Sequence, residues 1–288
     1  MATIRNPIEW GADQIKDAAH HLESVGHSIG GDEARREDAA PQVRRFAVAD
    51  LRDVLAKGVA DFAAYRTDVV FLCLIYPIVG LVLARFAFDH NLLPLLFPAA
   101  SGFALLGPVA AVGLYEMSRR REQGHTATWA DAFGAIRSPS FGAILVLGLG
   151  LLAIFLLWMG AAQVIYALTL GPEPPESAAA FARDIFTTGA GWTMMIVGVG
   201  VGFLFAVVVL AIGAVSFPML LDRDVGIGAA VSTPASVLTT NPRPMAVCGR
   251  IVACGLVLGS IPLFLGLIVV MPVLGHATWH LYRKAVAH

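Results

Sequence analysis

Charge is what this sequence has least of. Only 14% of its 288 residues are Asp, Glu, Lys or Arg, and 57% are hydrophobic, which lies outside the range of ordinary soluble domains. With a mean hydropathy of +0.72, most of the chain has lipid as its expected solvent. Cysteine is scarce as well: Cys73, Cys248 and Cys254 all fall in apolar runs without a CxxC spacing, so they read as small buried apolar residues rather than a disulfide or metal framework. The chain has no P-loop, HExxH or GxSxG, and nothing in it supports hydrolysis or phosphoryl transfer. No Lys, Arg, Asp or Glu stands in the central part of any apolar run, which argues against an ion-coupled pump. The first apolar run begins only near residue 69, so no cleavable secretory signal is expected.

What is present is sharply partitioned. Residues 1–43 are polar and mixed in charge, and read as a cytoplasmic segment. Ile8, Ala12, Ile15, Ala19 and Leu22 fall at helical spacing, which predicts an amphipathic helix over 7–25, followed by a Gly-rich charged linker. Over 46–65 the pattern is amphipathic again. Leu51, Val54, Leu55, Val59 and Phe62 are assigned to its apolar side and Arg52, Asp53, Lys57 and Asp61 to its polar side, predicting a helix at the membrane interface.

Residues 44–288 form the expected transmembrane domain, an all-α bundle. Six spans are predicted over about 69–88, 95–117, 141–168, 192–221, 247–260 and 262–282; the first matches a hydrocarbon core of about 30 Å, and the fifth is near the short limit. They group as three hairpins, each preceded by an interfacial helix, because a late proline followed by polar residues recurs at Pro108, Pro218 and Pro272. The segment 124–141, with Trp129, Phe133 and Ile136, supplies the second short helix, and residues 226–244 supply a third connector. The linker from Gly171, with three prolines and acidic residues, is placed on the far side. Charge favours six spans over five. With six, eighteen of the twenty Lys and Arg lie on the N-terminal side and only Arg85 and Arg183 lie opposite, whereas five spans would carry Arg283 and Lys284 across. Both termini are then cytoplasmic, in a multi-pass membrane protein.

Few residues offer chemistry. His276 and His280, four apart on one helical face, have the spacing of a haem or metal pair. Proline offsets add Glu116 and Asp222 as candidate companions at the cytoplasmic mouth. The competing reading of the same end is anchoring, with Trp279, Tyr282, Arg283 and Lys284 as an interfacial belt. The glycines of the run from Gly198 to Gly202 lie inside an apolar span and read as helix-packing positions, not a nucleotide loop. No catalytic residue and no resident cofactor is assigned.

The ending PVLGHATWHLYR, the segment WADAFGAI and a polar N-terminal region ahead of several spans resemble the family of bacterial integral membrane proteins catalogued as domain-of-unknown-function 2189. The likeness extends over most of residues 45–284, with Gly275 to His280 as its most specific piece. It implies a bacterial inner-membrane protein without an assigned activity. The leading functional expectation is therefore a scaffold or accessory subunit that binds a membrane-protein partner through its basic cytoplasmic face. The alternatives are a small-solute or lipid transporter with a proline-kinked cavity, and a haem- or metal-binding respiratory accessory protein. The bilayer is the expected surrounding, and nucleic acid is not an expected partner.

Overall fold

The computed structural model describes residues 41–287 apart from 74–77, 79, 83–84, 86–91, 126–127, 129–130, 133, 136–137, 224 and 263. The helix expected over 7–25, much of the span expected over 69–88, and Trp129, Phe133 and Ile136 lie outside the described residues. Among the described residues the fold is all-helical, and the sole strand-like pairing is an antiparallel bridge between Val43 and Val286.

The first helix, α1, spans Asp50–Cys73 and kinks at Tyr65, whose backbone leaves the helical region (φ -116°, ψ 20°). The amphipathic stretch and the start of the first apolar run are thus two segments meeting at a bend. The span expected over 95–117 is broken into α2 (Leu93–Leu105), α3 (Gly107–Ala110) and α4 (Val112–Glu122). Pro108 explains the first break, since its nitrogen cannot donate to the preceding turn. Next come α5 (Phe141–Thr169), α6 (Ala178–Thr187) and α7 (Gly189–Gly213). Pro218 acts like Pro108: it leaves the carbonyl of Ala214 without a donor, and the chain breaks at Val215 before resuming as α8 (Ser216–Asp222). The third connector is itself helical, as α9 (Ile227–Thr240). Ala230, Thr233, Pro234 and Val237 form its buried stripe at helical spacing.

Among the described residues three helical stretches are long and apolar enough to cross a membrane: Phe141–Thr169, Gly189–Asp222 and Pro242–Ser260. Their outward faces expose Leu156, Leu157, Ile196, Phe203, Val257 and Leu258, as expected of surface bathed by lipid rather than water. The final apolar region is two helices, α10 (Pro242–Ser260) and α11 (Leu267–Ala285). They run antiparallel. A Cβ on Gly255 would meet Val270 at 3.2 Å, one on Gly259 would meet Leu267 at 2.8 Å, and one on Gly266 would stand 2.7 Å from the Gly259 Cα. This turn needs glycine on both sides, and Phe264 takes a positive φ of 64° within it.

α11 is the helix on which the described bundle closes. α1 lies antiparallel along it so closely that a Cβ on Gly58 would be 2.8 Å from both the Val273 carbonyl oxygen and the Ala277 nitrogen. On another side Gly275 admits Leu114 of α4. The segment that leads into α1 is clasped to the end of α11 as well: Arg44 N–H donates to the Ala285 carbonyl (2.7 Å) and Ala287 N–H to that of Gln42 (2.8 Å). The most deeply buried large side chains, Trp279, Tyr115, Tyr282, Phe217 and Met117, gather at this end of the molecule.

Candidate functional site

At the polar end, α1, α4 and α11 bring five side chains into one cluster around a buried carboxylate. Asp61 of α1 is 5% exposed and its carboxylate accepts three hydrogen bonds. The Ser118 hydroxyl donates to Oδ2 at 2.7 Å, His280 Nε2 approaches the same oxygen at 2.9 Å, and an Arg121 guanidinium nitrogen meets Oδ1 at 2.6 Å. His276 Nδ1 lies 2.8 Å from Ser118 Oγ. A carboxylate only accepts, so the Ser118 proton is committed to Asp61, and Nδ1 of His276 must supply the proton of its own bond. His280 likewise carries its proton on Nε2. The remaining nitrogen of His276, Nε2, is buried without a hydrogen-bond partner.

Two effects oppose each other at Asp61. Burial pushes its carboxyl up, while the hydrogen bonds from His280 and Ser118 and the nearby imidazoles pull it down; the second group wins, leaving it below the ordinary carboxylate range. A second network surrounds it on α4. Glu116, nearly inaccessible, is gripped by Arg119 (2.8 Å and 3.0 Å) and Arg120 (2.9 Å), and Arg120 continues to Asp131 at 2.6 Å. The bond to Glu116 holds the Arg119 guanidinium above its usual value.

Of the candidates read from the sequence, His276 and His280 do come together, though they turn toward Ser118 and Asp61 and not toward a common ligand. Glu116 and Asp222 do not join them. Glu116 is enclosed by arginines, and Asp222 accepts from the Tyr282 hydroxyl at 2.6 Å and faces Arg283 at 3.4 Å. Among the described residues no three His, Cys, Asp or Glu side chains are grouped so as to hold a metal ion.

The anchoring residues also differ from expectation. Trp279 is 1% exposed and Tyr282 fully buried, so neither faces a headgroup layer. The Trp279 indole donates to Glu122 at 2.9 Å, Arg283 binds the same carboxylate, and Lys284 pairs with Asp50 at 2.9 Å. These residues lock the helix into the bundle.

Asp61, Ser118 and Arg121 were not picked out from the sequence. The signal for Asp61 lies in the spacing of Leu51, Val54, Gly58 and Asp61, all buried, which repeats at three and four residues; Val59, placed on the apolar side, is 51% exposed. The stripe follows the close-approach glycine rather than the bulkiest side chains.

These features define a helical protein built to sit in a bilayer, with apolar outward faces and a polar, ion-paired end. Residues 96–222 match the model of a family described as "Predicted integral membrane protein (DUF2189)". The match takes in WADAFGAI, Glu116, Ser118, Arg121 and Asp222, but ends before Gly275 to His280, the piece on which the resemblance leaned most, and begins after Asp61. No curated protein and no solved structure matches the chain.

Proposed function

We propose that this is a bacterial inner-membrane protein of six spans arranged as three hairpins, with both termini cytoplasmic, acting as a scaffold or accessory subunit for another membrane protein. The observation that carries the partner-binding part is α7. Of its 25 residues only Gly191, Val209 and Gly213 are buried. Among the described residues nothing lies within 4 Å of where a Cβ on Gly198 or Gly200 would stand, so a second helix has room to approach the backbone there. Close approach at small residues is how helices associate in lipid, where apolar burial alone gives no drive. The polar end supports a structural role, since its carboxylates are engaged by arginines, by Ser118 and by His280.

The test is purification from native membranes in mild detergent through a C-terminal tag. One stoichiometric membrane protein should accompany the chain, and Gly198→Leu with Gly200→Leu should release it while leaving the thermal midpoint unchanged. Recovery of the chain alone, or retention of the partner by the leucine variant, would count against the reading.

A further inference from the structure

The arginines of this protein fall into two groups. Arg119, Arg120, Arg121 and Arg283 are neutralised by carboxylates of the bundle. Arg44, Arg45, Arg243 and Arg250 are exposed, and no carboxylate among the described residues lies within ion-pair distance of them. Asn241 brings the two halves of this second group together. Its side-chain oxygen accepts from Phe46 N–H at 2.9 Å, and its nitrogen donates to the Arg44 carbonyl at 3.0 Å. The backbone of Arg44 and Arg45 is thereby held against the first turn of α10, where Arg243 stands two residues beyond Asn241. Arg250 follows at seven residues, two turns farther along the same face and about 10 Å deeper.

We infer that this cluster is a binding site for the headgroup of an anionic phospholipid of the surrounding leaflet. Pro242–Ser260 is among the stretches apolar and long enough to cross the membrane, so Arg250 faces outward from a lipid-embedded helix. An arginine there has to find an anion or reach water, and its stem is long enough to carry the guanidinium back toward the headgroup layer. The groups waiting at that depth are lipid phosphates, which the guanidinium fork binds bidentately. Arg243, Arg44 and Arg45 are exposed about the N-terminal end of the same helix, and four cations without a carboxylate partner among the described residues favour a lipid with net negative charge over a zwitterionic one. This inference rests on Pro242–Ser260 lying in the membrane and is independent of α7 having a partner.

The experiment is native mass spectrometry of the full-length protein in dodecyl maltoside, titrated with dioleoylphosphatidylglycerol or dioleoylphosphatidylcholine. The wild type should retain phosphatidylglycerol preferentially. Arg243→Gln with Arg250→Gln should weaken that binding on the order of thirtyfold, at roughly fivefold per juxtamembrane arginine. Arg183→Gln, at the other end of the molecule, should leave it unchanged. If the α10 pair fails to fold, Arg44→Gln with Arg45→Gln, outside any helix, should produce a loss in the same direction. Equal retention of the two lipids, undiminished binding by the folded arginine variants, or displacement of the lipid by inorganic phosphate at equal concentration would each overturn the assignment.

Discussion

Asp61 holds three helices with one carboxylate. Ser118 and His280 reach it from α4 and α11, and Arg121 adds its charge. The Arg121 contact is partly screened because that side chain is 39% exposed, so the two buried hydrogen bonds contribute most. Replacing Asp61 by Asn puts an amide donor against donors and should cost about 2–3 kcal/mol, read as a lowered thermal midpoint in detergent. The pH dependence has a definite sign. The folded carboxyl sits below its unfolded value, so its contribution is complete above the ordinary carboxylate value of about 4 and is lost as pH falls through the lower, folded one. Unfolding at pH 7 and pH 5 should therefore show the same Asp61 contribution. Below about pH 4 wild type should lose stability faster than Asp61→Asn; parallel acid profiles for the two proteins would contradict this.

At the scale of elements, the closeness of α1 and α11 depends on Gly58. A Cβ there meets backbone atoms of Val273 and Ala277, which cannot rotate away as a side chain would. Gly58→Ala should push the helices apart and lower stability by about 1–3 kcal/mol, measurable by thermal unfolding, whereas Gly150→Ala, on an open surface, should be neutral within error. The elements themselves were legible in the sequence to unequal degrees. Long apolar runs announced α5, α7 and α10, and the recurrence of late prolines together with the charge balance pointed to two helices where the structure has α10 and α11. Where helices break was less legible, because Pro108 and Pro218 interrupt spans that hydropathy reads as continuous. The polar cluster was half visible: the spacing of His276 and His280 marked one helix, but their partners lie 158 and 219 residues away in sequence, at Ser118 and Asp61. A single buried acid on an otherwise amphipathic stretch looks like surface until the neighbouring glycine shows which face is inside. Trp279 and Tyr282 misled for a related reason, since aromatic residues beside Arg283 and Lys284 look the same from sequence whether they meet lipid or the core of a polar domain.

For the whole molecule, the decisive feature is that α11 returns the chain to where its described part begins. Val286 pairs with Val43, and Lys284 reaches Asp50. If α10 and α11 both cross the bilayer, the turn at 261–266 faces the side opposite the two chain ends, and the basic residues stay together on the cytoplasmic side. The most direct measurement is cysteine labelling with a membrane-impermeant maleimide in intact spheroplasts, with Cys73, Cys248 and Cys254 replaced by Ser. Ile261→Cys should label from outside, and Ala287→Cys only after permeabilisation. Labelling of Ala287→Cys in sealed spheroplasts would contradict the six-span topology.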